Sequence, residues 1–410
     1  METQVAGDQG IDGLSGRLWP FHMSPKDDEL LSSWLVRLAR AHSLRLHTFC
    51  DIAWPRRPIW NRDIDRSADE HVFEVLSEKT ATPLVRVRQT TLGAYEGVFF
   101  ERHDPNAITN WILPIGVYHR ARRQFGLQFC PVCLRKDPDP FFRRHWRLAF
   151  VTMCSSHAVS LLDRCPQCGA AVAFHRLGID ATSITLCAAC GFDLRRSRTS
   201  RISNAHSLCL VRAQRRWLMA ERCGYVQVRT IGKVHSLLFF RGLRILVRAV
   251  HSRRSHEKRF LRIAKATRLL DSSSPDGLGS GIYFEHVELR ARQRGLRLIA
   301  NLLEKWPSRF LSLASRSRLT RAYVVADRSE VPYWLERSAF DAVRVGGRTI
   351  SDTELEETRR FVSTNPNCRA AWLSDLKRLV RDAERKRRLK TRCASRREHT
   401  WTKTVQKNPG

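Results

Sequence analysis

Near its N-terminus the chain carries apolar residues at the spacing of a helix. Ser24 is predicted to cap that helix and Pro25 to be its first residue, with acidic residues at 27–29 in the first turn, where the helix dipole favours negative charge. Five apolar residues then fall one, three and four positions apart and form one buried stripe: Leu30, Leu31, Trp34, Leu35 and Leu38.

A second short helix is expected from Arg45 to Ala53, where Trp54 and Pro55 end it. The break near His42 and Ser43 is short. Two helices joined by a tight connection are typical of a helix-turn-helix arrangement, although many small helical domains begin in the same way.

Periodic apolar positions return in the C-terminal half, where a second helix-turn-helix candidate is predicted. Its three helices are expected at Arg309–Ser315, Leu319–Asp327 and Val331–Val345. If this candidate reads DNA, Arg337 and Ser338 near the start of its last helix are the expected contacts. A plain three-helix packing unit fits the same pattern equally well.

The charge of the chain points to an anionic partner. Its 410 residues include 72 Lys and Arg against 40 Asp and Glu, a formal net charge of +32. Such an excess would repel itself in an isolated molecule. Hydrophobic residues make up 42% of the chain, enough for real cores, and this argues against a wholly disordered basic protein.

The sequence gives no sign of a membrane or secretory destination. It has no run of about 18 apolar residues and no apolar segment of a signal peptide near its start. We therefore expect a cytoplasmic protein without membrane contact. In such a reducing compartment, paired cysteines bind metal more often than they form disulfides.

Four paired motifs follow one another in the middle of the chain, and each has the two-residue spacing that brings two ligands onto one ion. Glycines follow two of the pairs, at Gly169 and Gly191, where a positive φ would complete a knuckle. The predicted ligands are Cys130, Cys133, Cys154, His157, Cys165, Cys168, Cys187 and Cys190.

Eight ligands suffice for two structural Zn²⁺ ions, because four protein ligands leave a zinc ion no open position. Sequential pairing gives one site of three cysteines and one histidine, followed by an all-cysteine site. Interleaved pairing fits the same count. His145 and His175 could substitute as ligands, but their spacing fits less well. We expect the remaining thiols to be core or incidental: Cys50, Cys209, Cys223, Cys368 and Cys393.

These patterns predict a mainly α fold, in which helix-turn-helix-type domains flank a tandem zinc-ribbon or zinc-finger module with short β pieces. Aromatic and leucine residues at 141–162 are expected to form a small core for that module. The predicted organisation is a disordered leader at 1–17, an N-terminal helical region at 18–117, the zinc module at 118–200, a basic helical region at 201–270, a linker at 271–281, a C-terminal helical domain at 282–350 and a basic helical tail at 351–410.

Two segments concentrate the basic residues and are candidates for contact with nucleic acid. Residues 241–268 hold ten Lys or Arg against one Glu, and residues 376–403 hold twelve against three acidic residues. Arginine suits phosphate because its planar fork binds two oxygens. A solvated face or an acidic protein partner would also explain such runs. The candidate contacts are Arg244, Arg248, Arg253, Arg254, Lys258, Arg259, Arg337, Arg385, Lys386, Arg387 and Arg388.

The N-terminal half resembles the TniQ family of transposition proteins. The resemblance lies in the run from Leu18-Trp19-Pro20 through Asp28 to Ala39, in Phe129-Cys130-Pro131-Val132-Cys133, in Trp146-Arg147-Leu148, in Cys154-Ser155-Ser156-His157, and in the run from Leu161 to Cys168. It covers about 18–200. Beyond it, the chain is similar only in being helical and basic.

This resemblance implies a non-catalytic selector of transposition targets. Such proteins recognise an insertion site, directly on DNA or through an RNA-guided effector complex, and recruit an AAA+ ATPase regulator beside a transposase. The resemblance also implies that the eight ligands hold zinc, and it leaves a homodimer open because only some members dimerise.

Two other functions remain as alternatives: a stand-alone zinc-containing DNA-binding regulator, and a metal-dependent nuclease or integrase. The sequence carries no phosphate-loop, nucleophile-elbow, zinc-protease or dinucleotide-binding motif. Its acidic residues show no arrangement that favours a nuclease centre.

Overall fold

The structure, a computed structural model, describes residues 14–118, 121–199, 204–251, 264, 283–317, 331–339, 356, 360 and 363–364. Several predicted features lie outside these residues, namely residues 1–13 of the leader, the linker at 271–281, the helix at 319–327 and the basic tail from 376.

Helices dominate the described residues, which confirms the predicted mainly α fold. The helices are α1 (Leu31–Ala41), α2 (Leu46–Ala53), α3 (Ile64–Ser67), α4 (Glu70–Thr80), α5 (Leu84–Arg88), α6 (Pro131–Lys136), α7 (Ala205–Cys223), α8 (Ser236–Val250), α9 (Leu289–Glu304), α10 (Ser308–Ser317) and α11 (Tyr333–Ala339). Short 3₁₀ turns lie at Leu92–Tyr95, Arg144–Arg147, Phe174–Arg176, Leu194–Arg196 and Phe284–His286.

Two small antiparallel hairpins supply the β pieces. In the first, β1 (Val117–Tyr118) pairs with β2 (Ala121–Arg122), and Val117 lies opposite Arg122. In the second, β3 (Tyr225–Val228) pairs with β4 (Gly232–His235), and Tyr225 lies opposite His235.

The prediction that the first helix begins at Ser24 and Pro25 is wrong, since α1 begins at Leu31. Distant groups satisfy its first N–H groups, which every helix leaves without a partner of its own. The Leu31 amide donates to Thr90 O at 3.0 Å, and the Ser32 amide donates to the Asp65 carboxylate at 2.8 Å. The cap of this helix therefore comes from residues far along the chain. The second helix, α2, lies where the sequence predicts it.

The chain divides into two compact units. Among the described residues, the first unit holds 14–96, 102–199, 204–218, 264 and 283–301. The N-terminal helices and the Cys-rich segment share its core, since the Leu30 amide donates to Phe142 O at 2.9 Å and the Arg144 amide donates to Asp28 O at 2.7 Å. The predicted burial of the aromatic residues at 141–150 and of Leu161 is confirmed.

The second unit holds, among the described residues, 97–101, 219–251, 302–317, 331–339 and those after 339. The indole of Trp334 is buried in this unit and packs against α8. The Trp334 Nε1 donates to Leu238 O at 2.9 Å, and its ring stacks on Phe239 with centroids 5.6 Å apart. The ring packs against α8 at Gly242, because any side chain at that position would overlap the ring.

Among the helices that the structure describes, none combines the length and the apolar character needed to cross a bilayer. The domain boundaries inferred from the sequence stay predictions, since the two units are defined by packing and interleave along the chain.

Candidate metal centres

The eight predicted ligand residues come together in two groups of four. The first group joins Cys130 and Cys133 with Cys154 and His157, and the second joins the two later pairs. Within each group the ligand atoms lie within 4.8 Å of one another. Of the two partitions that the sequence allows, this is the sequential one.

Helix α6 and a tight turn build the first group. Cys130 is the residue before α6, and Pro131 is the first residue of that helix. The turn follows Cys154. The Cys154 amide donates to Val159 O at 2.8 Å, and the Ala158 amide donates to Cys154 O at 3.0 Å. These two bonds fix the turn that carries both Cys154 and His157.

Two further turns of the same design build the second group. The Gly169 amide donates to Cys165 O at 2.9 Å, and the Gly191 amide donates to Cys187 O at 2.8 Å. Both glycines have positive φ, 74° and 71°, as the sequence predicts. Ala158 takes the equivalent position in the first group with φ 50°, a conformation that the sequence pattern does not reveal because alanine rarely adopts it.

The separations between the ligand atoms fit a tetrahedral zinc ion. With Zn–S bonds of about 2.3 Å and Zn–N bonds of about 2.0 Å, the edges of the tetrahedron would be about 3.8 Å between sulfurs and about 3.5 Å from sulfur to nitrogen. In the first group Cys133 Sγ lies 3.6 Å from Cys154 Sγ, and His157 Nδ1 lies 3.3–3.8 Å from the three sulfurs. In the second group Cys165 Sγ lies 3.7 Å from Cys190 Sγ, and Cys168 Sγ lies 3.6 Å from Cys187 Sγ.

The electrostatics of the second group also suit a cation. Burial raises the pKa of the Cys165 thiol to about 12, whereas the backbone N–H of Ala170 lowers the pKa of the exposed Cys168 thiol to about 7. Four thiolates this close would repel one another, and a divalent cation at their centre is what would allow all of them to ionise. The two groups could therefore hold metal ions, and their sulfur and imidazole donors suit Zn²⁺.

Other potential ligands have different roles in the described structure. His145 contacts the Asp28 carboxylate through its Nδ1, and the His175 ring stacks on Trp60 with centroids 5.5 Å apart. The Cys50 thiol accepts a hydrogen bond from Trp60 Nε1 at 3.0 Å, and burial raises its pKa to about 12. Neither histidine belongs to a metal group, and Cys50 stays a neutral core thiol.

Buried polar side chains hold the segments that carry the first group. Gln128, two residues before Cys130, donates to Trp146 O at 2.7 Å and to Val151 O at 2.9 Å. From α9, Arg292 donates to Ala149 O at 2.7 Å and to Gln128 Oε1 at 3.2 Å. Burial lowers the pKa of Arg292 to about 10, so its guanidinium keeps its charge at neutral pH.

The candidate nucleic-acid contacts are only partly described. On α8, Arg244 is half-buried and Arg248 is exposed. Arg337 lies in α11. The remaining candidates lie outside the described residues: Arg253, Arg254, Lys258, Arg259, Arg385, Lys386, Arg387 and Arg388. All of these contacts stay predictions.

Sequence reasoning missed a basic stripe on α7. Arg212, Arg215 and Arg216 are exposed at helical spacing, while the neighbouring Gln214 and Trp217 are buried. The Gln214 side chain donates to Phe150 O at 2.5 Å and accepts from the Met153 amide at 3.1 Å. One face of α7 thus packs on the segment before Cys154, and the opposite face presents arginines to solvent. The alternation of Arg with apolar residues at 207–217 was the available signal.

Comparison with protein families gives one match, to TniQ, over residues 20–161. A search of curated proteins found no match to this chain. The matched range includes α1 to α6 and the whole first group of metal ligands, and it ends before the second group. Residues 20–161 therefore form a TniQ domain, which indicates a transposition-associated protein.

Proposed function

We propose that this protein is a non-catalytic adaptor that selects the target site in transposition. It binds the insertion site, directly on DNA or through an RNA-guided effector complex, and recruits the AAA+ ATPase regulator and the transposase. The observation that carries the proposal is the TniQ match over residues 20–161.

In this proposal each group of four ligands holds a structural Zn²⁺ ion. Zinc would supply cross-linking of the chain and no reaction chemistry, because four protein ligands leave no position for water or substrate. Cys130 and Cys133 anchor α6, and Cys154 and His157 anchor the turn that follows. The bound ion would fix these segments beneath the N-terminal helices, whose backbone bonds reach Phe142 and Arg144.

The exposed arginines of α7 support direct contact with nucleic acid. Arg212 and Arg216 are exposed one helical turn apart, and Arg215 between them donates to Ser155 O at 2.5 Å. A row of this kind can follow a phosphate backbone, and each phosphate it neutralises releases counterions. The net charge of +32 gives the same expectation for the whole chain.

A pull-down on immobilised DNA tests the adaptor function. We expect the AAA+ ATPase regulator of this proposal to be retained on target DNA only when the full chain is present. The R212E/R216E variant should lose at least about tenfold in DNA affinity at moderate salt, and ATPase retention should fall with it. The matched control is R102E, which reverses the charge of an exposed arginine elsewhere in the first unit.

Two results would contradict the proposal. Equal retention of the ATPase without this protein would show that it does not recruit the ATPase. Cleavage of DNA with Mg²⁺, abolished by replacement of one carboxylate, would show a nuclease instead.

A further inference from the structure

The first unit contains a cavity that belongs to neither metal group. Its volume is about 430 Å³, within the range of about 300–1,000 Å³ that is typical of small-molecule sites. Four separate segments line it: the start of α2, residues 60–65, the β1–β2 hairpin with its flank, and residues 175–178.

Each of these segments brings one arginine to the cavity: Arg45, Arg62, Arg122 and Arg176. Arg45 and Arg176 are exposed, and their guanidinium groups form no hydrogen bond or ion pair with the described residues. Arg62 is held by the side chain of Asn106. Two guanidinium groups are therefore available to a ligand at the rim.

Arg122 extends the positive charge into the cavity wall. Its Nη1 donates to Val172 O at 2.6 Å, and its guanidinium lies over the Phe174 ring, 5.5 Å from the centroid. Its Nε is buried and has no hydrogen-bond partner among the residues that the structure describes. A buried donor without an acceptor is unfavourable, and an anionic ligand in the cavity would supply the acceptor.

The two carboxylates of the cavity offset this charge only in part. Asp63 and Asp65 are both bound by Arg147, at 2.5 Å and 3.1 Å, and Asp65 also accepts from the Ser32 amide and hydroxyl at 2.8 Å each. Their oxygens are thus occupied by donors that lie outside the lining. An excess of positive charge faces the open volume.

Next to these arginines stands a flat aromatic wall. The rings of Trp60 and His175 stack at an angle of 4°, and His47 meets the edge of Trp60 with centroids 6.4 Å apart. Nucleobases stack on such rings, while arginines bind the phosphate beside them.

We propose that this cavity binds a nucleoside phosphate, with Arg45, Arg176 and Arg122 on the phosphate and the Trp60–His175 stack against the base. The same chemistry is offered by a free nucleotide and by one nucleotide of a nucleic-acid strand. The proposal does not rest on the function in transposition, since the cavity, its arginines and its aromatic wall would act in the same way in any nucleotide-binding protein.

Calorimetry and fluorescence anisotropy on the full, metal-loaded chain test it. The probes are AMP, inorganic phosphate and a labelled single-stranded DNA of about 12 nucleotides. We expect AMP to bind more tightly than phosphate. The R45A/R176A variant should weaken both by at least about tenfold, whereas R102A, the matched control on an exposed arginine outside the cavity, should change neither by more than about twofold.

The H175A variant separates base recognition from phosphate recognition. It should weaken AMP binding and leave phosphate binding unchanged. If AMP competes fully with the DNA at its own dissociation constant, the ligand is a free nucleotide. If the DNA binds tightly, loses affinity in R45A/R176A and is displaced poorly by AMP, the ligand is a nucleotide within a strand.

Three results would overturn the proposal: no binding of AMP or DNA at millimolar concentration, equal binding of AMP and phosphate, or equal losses in R45A/R176A and R102A. Circular dichroism and the content of bound metal show whether each variant is folded. ATPase retention on DNA is measured separately, so this proposal and the adaptor function can fail independently.

Discussion

Replacing Arg147 with methionine should destabilise the first unit by about 3–5 kcal/mol at neutral pH. The Arg147 side chain is fully buried and binds Asp63, Asp65 and the backbone oxygen of Leu113, the last at 2.8 Å. Methionine fills a similar volume but carries no charge, so the two buried carboxylates would lose the cation that binds them both. Removal of one partner from a buried ion pair typically costs this much.

Because Asp65 also caps α1 through the Ser32 amide, the loss should reach the N-terminal helices. In a domain of this size each kcal/mol lowers the melting temperature by about 2–4 °C, which predicts a fall of roughly 6–20 °C in the first unit. Calorimetric scanning of the full chain measures it. The matched control is Arg143→Met, which removes a half-buried pair with Asp137 and should cost about 1 kcal/mol.

The pH dependence gives a second readout. Burial opposes ionisation of Asp63, but Arg147 holds its folded-state pKa below the ordinary value, so its stabilising contribution is present above an unfolded pKa of about 3.9 and is lost only as the pH falls through the lower folded value. Burial and the nearby Asp63 raise the folded-state pKa of Asp65 to about 6, above the unfolded value of about 3.9. The protonated Asp65 therefore stabilises the fold at low pH, and this contribution is lost as the pH rises from about 3.9 to about 6.

Without Arg147 the folded-state pKa values of both carboxylates should rise. Both carboxylates would then be protonated in acid, which would reduce the destabilisation of the variant there. The difference in melting temperature from the wild type should therefore be smaller at about pH 5 than at about pH 8. A variant that melts within about 2 °C of the wild type at both pH values would refute this account of the buried pair.

Three further predictions concern the metal, the second unit and the tail. Cys133→Ser should lose one of two bound zinc ions by elemental analysis, whereas Cys209→Ser, at a buried thiol outside both groups, should keep two; retention of both ions in the first variant would contradict the ligand assignment. Gly242→Ala should destabilise the second unit by about 1–3 kcal/mol in thermal scanning, because its methyl group overlaps an indole ring. Gly93→Ala, whose nearest neighbour would be 3.5 Å away, should be nearly neutral, and equal effects would refute the packing argument. Truncation after Leu376 should weaken DNA binding and flatten its salt dependence; an unchanged slope would mean that the tail contacts no phosphate.

The metal groups could be predicted from the sequence because their information is local. Each pair needs only a two-residue spacing and a turn, and the positive φ of Gly169 follows from the same motif. The choice between sequential and interleaved pairing could not be predicted, because it depends on how the turns pack. The turn at Ala158 shows that local geometry can also exist without its usual residue.

The start of α1 was predicted wrongly for a related reason. Ser24 and Pro25 are ordinary signals for a helix start, and a local pattern could not reveal that the cap comes from Asp65. Arg147 and Arg292 were equally hidden. Arg147 binds Leu113 O, 34 residues away in the sequence, and Arg292 binds Ala149 O, 143 residues away. The periodicity of apolar residues does not reveal such contacts.

The backbone bonds between Leu30 and Phe142 and between Asp28 and Arg144 have a consequence for biosynthesis. On the ribosome the N-terminal helices emerge first, but more than a hundred residues must follow before their hydrogen-bond partners exist. The N-terminal segment therefore cannot form these hydrogen bonds until the segment that carries Cys130 and Cys133 has been synthesised. If zinc binding folds that segment, as proposed, the supply of zinc during translation would limit how long the apolar stripe of α1 stays accessible to chaperones and proteases.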